Sequence, residues 1–322
     1  MNALLELEEL TVQLPTPAGW VKPVNGISLE IARGEALGLV GESGSGKTML
    51  SLSLMGLLPA GARVSGQAKI SSANGNATLL SSLKEDEWRR VRGSEIAMIF
   101  QEPMTSLNPV MRIGEQIEEA ILAHEPNLRK DLLHRRLLNA MEHASIPEPE
   151  VRLQQFPHQL SGGLRQRAMI AMALAPRPKL LIADEPTTAL DVTVQQQILA
   201  LLDRLRRELE LSLLFITHDL GVVAQVADRI AVMYAGRIVE WGSAEKVLTS
   251  PQHPYTQGLL AASPTLERKA LTPIPGVVPQ LTHLPPGCAF APRCGFRRDK
   301  CDEGVPEFRG PEPDHGARCI LL

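Results

Sequence analysis

The sequence predicts an α/β fold with a mainly parallel sheet, and three observations carry that reading. An apolar run, Ala36 to Val40, leads into the glycine-rich stretch Gly41-Glu42-Ser43-Gly44-Ser45-Gly46-Lys47-Thr48, and a helix-like run from Met49 to Leu58 follows. The fully apolar run Leu180 to Ala183 reads as a strand buried on both faces, and Leu213 to Thr217 as the next buried strand. Helical patterns separate these runs, and strands that alternate with helices build parallel sheets. In such sheets chemistry gathers at the carboxyl ends of strands. Gln101, Asp184, Glu185 and His218 all fall at such ends, as does the glycine-rich stretch.

The glycine-rich stretch matches G-x-x-x-x-G-K-[ST]. Glycine lets backbone N–H groups point inward without side-chain clash, so the loop can wrap a phosphate chain. The following helix offers its N-terminus, roughly half a positive charge, to the same anion. In this pattern Lys47 reaches the β- and γ-phosphates and Thr48 binds Mg2+.

In chain order, residues 3–12 and 27–40 read as short strands, with Ala32-Arg33-Gly34-Glu35 as a turn. Between them Pro15, Pro17, Gly19 and Pro23 predict a loop. Trp20 stands in that loop, suited either to stacking on a purine or to covering a sheet edge. Residues 61–82 are rich in Ser, Gly and Asn with short apolar pieces, which predicts a β-hairpin region. Glu95 to Phe100 is a strand that ends at Gln101. Ile113, Ile117 and Ile121, then Leu132, Leu133, Leu137, Leu138 and Met141, have helical spacing and form an inserted helical segment over about 102–160. Ser161 is a natural N-cap for a helix from Leu160-Ser161-Gly162-Gly163 to about Ala175, where Pro176 and Pro178 stop it. Val192 to Leu209 is a further helix.

The texture changes near 251. Twelve of the 25 prolines lie between Pro251 and Pro313, and apolar periodicity fades. This predicts an appendage over 251–322, poor in regular structure, that needs a staple to be ordered. All four cysteines, Cys288, Cys294, Cys301 and Cys319, lie there. Their C-x5-C-x6-C-x17-C spacing lacks the C-x2-C pairs usual for structural zinc, and four thiolates can equally hold an iron–sulfur cluster. Spacing alone gives a metal site of unknown kind.

Composition sets limits on function. Net charge is −3 over 322 residues, so charge gives no support to nucleic-acid binding. No apolar run approaches the roughly 18 residues of a membrane helix. Glu6, Glu8 and Glu9 stand where a signal peptide would carry basic residues. A cytosolic chain is expected, one that a protein partner would have to hold at any membrane where it works.

Two strand ends carry the catalytic candidates. Asp184 closes a buried apolar strand and is placed to hold Mg2+ opposite the phosphate loop. Glu185, adjacent but pointing differently, is placed to act on an attacking water as general base. The Gln101 amide is suited to Mg2+ and to orienting water. His218 is suited to a hydrogen bond with a γ-phosphate.

Taken in order, Gly41–Thr48, Gln101, Leu160-Ser161-Gly162-Gly163, Asp184-Glu185, Ala189-Leu190-Asp191 and His218 resemble the Walker A, Q-loop, signature, Walker B, D-loop and H-loop of ATP-binding-cassette transporter ATPases. The resemblance covers roughly residues 4–250. It implies a P-loop NTPase cassette with an antiparallel β subdomain and a helical subdomain, working as a dimer. ATP would lie between one subunit's Walker A and the other's signature helix. Ser161-Gly162-Gly163 then forms a second anion site at a helix N-terminus. One chain cannot aim both anion sites at one γ-phosphate, which is a physical reason to expect a pair.

Three stretches narrow the resemblance to the oligopeptide/dipeptide/nickel importer subfamily, D-type. They are Ser161 to Arg167 with Leu181 to Val194, His253-Pro254-Tyr255-Thr256 with Leu259-Leu260, and Gly287 to Cys294. This implies a second, F-type cassette ATPase, two membrane permeases and an extracytoplasmic solute-binding protein. It also implies a peripheral position on the cytoplasmic face of the membrane, and a [4Fe–4S] cluster on the four cysteines, with zinc as the alternative. By spacing from Gly34-Glu35, the family's adenine-stacking aromatic falls near Val21, beside Trp20.

Overall fold

The protein is described from a computed structural model covering residues 3–71, 77–101, 106–188, 190–263, 272–312 and 314–322. Its strands in chain order are β1 (Ala3–Thr16), β2 (Gly19–Ala32), β3 (Ala36–Val40), β4 (Arg63–Ser71), β5 (Ala77–Leu79), β6 (Ile96–Ile99), β7 (Leu180–Asp184), β8 (Ser212–Thr217), β9 (Arg229–Tyr234), β10 (Arg237–Ser243), β11 (Arg309–Glu312) and β12 (His315–Ala317). The chain forms two compact units, Met1–Ser82 with Phe215–Leu322, and Leu83–Leu214.

The first unit holds two sheets. One is antiparallel, in the order β2-β1-β4-β5. Its β1–β2 hairpin corrects the loop expected around 15–23. The strands run on to Thr16 and resume at Gly19, with Pro15 opposite Trp20 and Thr16 opposite Gly19. Gly19 sits at φ +114°, and the Thr16 hydroxyl donates to its carbonyl at 2.7 Å. The prolines favour a loop locally, but Pro15 lies near a strand end and Pro23 at the register shift between Val21 and Val24, places where a strand tolerates a missing ladder N–H. The hairpin expected over 61–82 forms as β4 and β5, with Lys69 opposite Leu79. Residues 72–76 lie outside the described residues.

The second sheet of this unit pairs β3 parallel to β9, β9 antiparallel to β10, β10 to β12 and β12 to β11. All five residues of β3 are buried, as its apolar run demands. Burying such side chains is worth about 1.5–3 kcal/mol each. The chain beyond residue 250 belongs to the same compact unit as the phosphate loop. Pro254–Ala262 is a helix. Glu240 on β10, fully buried, accepts the backbone N–H groups of Gln252 and His253, each at 2.8 Å, and lies 2.9 Å from His315 Nε2. One carboxylate thus fastens the helix entry and β12 to β10.

In the second unit β6 and β7 pair in parallel, Ile96 opposite Leu180 and Ile99 opposite Ala183. The expected helical insertion holds helices Ile113–Leu122 and Lys130–His143. Ile113, Ile117 and Ile121 are buried, as are Leu133, Leu137 and Met141. Leu132 is exposed, because the buried stripe follows the i, i+4, i+8 positions 133, 137 and 141. No helix among the described residues is long and apolar enough to cross a membrane.

Candidate active site

In the first unit the phosphate loop joins β3 to the helix Lys47–Leu54. Two of its glycines, Gly41 and Gly46, are sterically required. A Cβ on Gly41 would stand 2.2 Å from the Met233 carbonyl oxygen. Gly46, at φ +107°, would put one 1.9 Å from the carbonyl oxygen of Pro23. Lys47 is buried, and its ammonium donates to the carbonyls of Gly41 (2.7 Å) and Glu42 (3.1 Å), so the lysine spans its own loop. The Ser45 hydroxyl is buried without a hydrogen-bond partner among the described residues. A buried hydroxyl of that kind fits an anion ligand better than an apolar one. Ser43, Gly44 and Thr48 face outward. At the end of β8, His218 is exposed, and Asp219 caps the short helix after it by accepting the Gly221 N–H at 2.7 Å.

The second unit carries the acidic pair. Asp184 ends β7 with 1% exposure, and Glu185 follows at φ +48°. A non-glycine residue held in the left-handed region carries strain that its surroundings must sustain. The Oε2 atom of Glu185 accepts from Gln101 Nε2 (3.2 Å) and from the Thr188 hydroxyl (3.0 Å). Two residues singled out separately in the sequence, Gln101 and Glu185, are therefore in contact. Ser161 caps the helix Gly162–Leu174, its hydroxyl accepting the Leu164 N–H at 3.4 Å. Ser161 and Gly162 are exposed, so this helix N-terminus faces solvent. A Cβ on Gly163 would meet the Val194 side chain at 3.0 Å, which fits its close packing on the helix Val192–Glu208. Asp191 caps that helix, accepting the Val194 N–H at 2.9 Å. Ala189, the first residue of the expected D-loop, lies outside the described residues.

The family model described as "ABC transporter" matches residues 24–188. The chain belongs to the ABC transporter family. It carries the cassette's ATPase motifs on an α/β P-loop fold. A second model, the "Oligopeptide/dipeptide transporter, C-terminal region", matches residues 239–301 of this ABC ATPase. The oligopeptide transport ATP-binding protein OppD of Bacillus subtilis is 50% identical over 325 residues, 100% of this chain and 90% of that one. The dipeptide transport ATP-binding protein DppD of Bacillus subtilis is 46% identical over 323 residues, 100% of this chain and 95% of that one. Among solved structures, the dimeric post-hydrolysis state of the ATP-binding cassette MJ0796 bound to ADP and Pi aligns with a TM-score of 0.65 at 26% identity. It covers 74% of this chain and 98% of that one.

The ABC cassette's C-terminal cysteines converge. Cys288, Cys294, Cys301 and Cys319 line one small cavity with Phe290, Phe296 and Leu321. The Phe296 N–H points to Cys294 Sγ at 3.4 Å and the Arg298 N–H to Cys301 Sγ at 3.5 Å. Burial pushes the thiols of Cys288, Cys294 and Cys319 up. All four stand as free cysteines. No cluster of three or more His, Cys, Asp or Glu side chains at metal-ligand spacing occurs among the described residues, so the thiols share a cavity without forming a ligand shell.

Trp20, 45% exposed, carries the Arg63 guanidinium 4.1 Å from its ring centroid. Sequence reasoning missed the partners of Glu42. The Arg293 guanidinium grips its carboxylate through Nη1 (2.7 Å) and Nη2 (3.0 Å), and the Glu42 N–H donates to the Tyr255 hydroxyl at 2.8 Å. These partners lie 251 and 213 residues away in sequence, and no local pattern signals the pairing.

Proposed function

We propose that this chain is the ATP-hydrolysing subunit of a membrane importer of di- or oligopeptides. One observation carries the reading: an ABC cassette over 24–188 is followed in the same chain by the peptide-importer C-terminal region over 239–301. The similarity to OppD and DppD spans nearly the whole chain and supports peptides as the solute class.

Lys47 and the loop from Gly41 to Gly46 bind the phosphates, with Lys47 exchanging loop carbonyls for phosphate oxygens. Thr48, Gln101 and Asp184 are oxygen donors, the set a hard cation prefers, and would hold Mg2+. When bound, that ion neutralises charge on the transferring phosphoryl group. Glu185 is the general base: Gln101 and Thr188 fix its Oε2, which orients the carboxylate for a water proton. His218 donates to the γ-phosphate. Ser161, Gly162 and Gly163 present N–H groups and the helix dipole to ATP held on a partner cassette, and Asp191 caps the helix packed beside them. The partner is a paired F-type ATPase. ATP closes the pair and hydrolysis reopens it, while Gln101 and the helical insertion pass the motion to two permeases. An extracytoplasmic binding protein delivers the peptide, and the subunit sits peripherally on the cytoplasmic face.

Cys288, Cys294, Cys301 and Cys319 would hold an iron–sulfur cluster. Four thiols share one cavity and two receive backbone N–H groups, which supports them as the donors, and binding would have to draw them into the ligand shell that they do not form here. The role is structural: a proline-rich segment gains the staple that its own apolar content does not supply. Iron and zinc assays on anaerobically purified protein test this, and stoichiometric absence of both would remove it.

For import, the protein is reconstituted in vesicles with permeases and a solute-binding protein from the same organism. Peptide uptake dependent on ATP is expected. Uptake of nickel or another small solute with peptides excluded would overturn the assigned substrate class.

A further inference from the structure

The phosphate loop carries a carboxylate where it must receive a polyanion. Glu42 is the loop's second residue, and an uncompensated charge there would repel a triphosphate. Its compensation comes from the C-terminal extension. Arg293, whose side chain is 4% exposed, makes the two-pronged contact with Glu42, itself 28% exposed. The Arg293 Nε–H donates to the Pro275 carbonyl at 2.9 Å, and Nη1 lies 3.4 Å from the Tyr234 hydroxyl. The guanidinium is thereby held from three sides, in the geometry that favours arginine over lysine. Tyr255, fully buried, fixes the Glu42 backbone through its hydroxyl. Its ring packs with Tyr234 and Phe290 at centroid separations of 4.5 and 5.4 Å. Lys47 bonds the carbonyl of the same Glu42. Arg293 is delivered by the turn Ala291–Arg293, directly before Cys294.

We propose that Arg293 and Tyr255 are positioning residues of the nucleotide site: the C-terminal extension neutralises and anchors the phosphate loop at Glu42, and so sets affinity for ATP. The contact acts through Glu42 and does not touch nucleotide. The inference rests on nucleotide binding at the loop, which Lys47→Ala tests separately by abolishing it.

The test measures equilibrium binding of a fluorescent ATP analogue, and KM and kcat for ATP, on the full-length protein. Arg293→Met should weaken binding on the order of tenfold, by leaving a partly buried charge unpaired. KM should rise by a similar factor while kcat stays within about threefold. The loss should shrink as salt rises, because the repulsion is screened. Removing the stranded charge in the double variant Glu42→Gln/Arg293→Met should recover most of the affinity. Arg293→Lys should fall between wild type and Arg293→Met. Arg297→Met, which breaks the exposed pair with Asp302 in the same extension, should leave affinity unchanged. Tyr255→Phe keeps the ring and should weaken binding about threefold. If Arg293→Met does not fold, Arg293→Lys and Tyr255→Phe decide. Unchanged affinity in those two, or a loss in Arg293→Met that neither salt nor Glu42→Gln relieves, would reduce the contact to a structural tether and overturn the proposal.

Discussion

The side-chain amide of Gln101 donates to the carboxylate of Glu185, with Nε2 and Oε2 3.2 Å apart. One residue ends the stretch that leads into the helical insertion, and the other follows β7. A change of position at Gln101 therefore alters the setting of Glu185 directly.

Glu185→Gln keeps the size of the side chain and removes its basicity. ATPase turnover should fall by roughly 10²–10⁴-fold, the usual worth of a general base. ATP binding should persist, and a dimer should accumulate in ATP. Phosphate release and size-exclusion chromatography check both. Normal turnover would withdraw the assignment.

Gln101→Ala and Thr188→Val each remove one donor to Glu185 Oε2. A loss of about tenfold in kcat, or about 1.4 kcal/mol in the barrier, is expected from each, with KM little changed. Because both act on one oxygen, the double variant should lose less than the product of the single effects. Independent, multiplying losses would show that the two donors serve different ends.

His253 makes the fold acid-sensitive. Burial lowers its pKa from 6.5 to about 4, and its Nδ1 accepts the Tyr255 N–H at 3.0 Å. Between these values the unfolded chain binds the proton and the folded chain does not, so stability falls as pH drops from about 6.5 to about 4. The penalty approaches roughly 3 kcal/mol at the lower end. His253→Asn keeps a capping acceptor without a titrating ring. Its melting temperature should decline less than that of wild type over this range, and parallel declines would exclude His253 as the source.

Glu240→Gln places an amide where two backbone N–H groups and His315 converge on a buried carboxylate. One donor then faces another, and a destabilisation of about 2–4 kcal/mol is expected. Chemical denaturation measures it, and a change below about 0.5 kcal/mol would mean that the network relaxes freely.

What the sequence made legible was local. The phosphate loop, the acidic pair after β7, the Ser161 cap and the helical insertion each depend on a dozen or fewer neighbouring residues, and periodicity or spacing reveals them. The β1–β2 hairpin was hidden because Pro15 and Pro23 favour a loop locally, while cross-strand pairing decided the outcome. The Gln101–Glu185 contact joins two residues visible separately, 84 positions apart. Arg293 lay inside the Gly287–Cys294 stretch that carried a resemblance, but nothing there pointed to Glu42, since that role exists only once the chain has brought the two together.

The pairing of β12 with β10 has a consequence for synthesis. Glu240 faces Ala317, so this edge of β10 stays open until a segment 77 residues downstream (317 − 240) has been translated. At 5–20 residues per second that is about 4–15 s during which a nascent chain exposes an unpaired strand edge. Glu240, fixed between two histidines in the finished protein, places a carboxylate at that edge in the meantime. In the finished protein that carboxylate takes up His315 of β12 at 2.9 Å, so the strand edge closes and the charge gains its partner together.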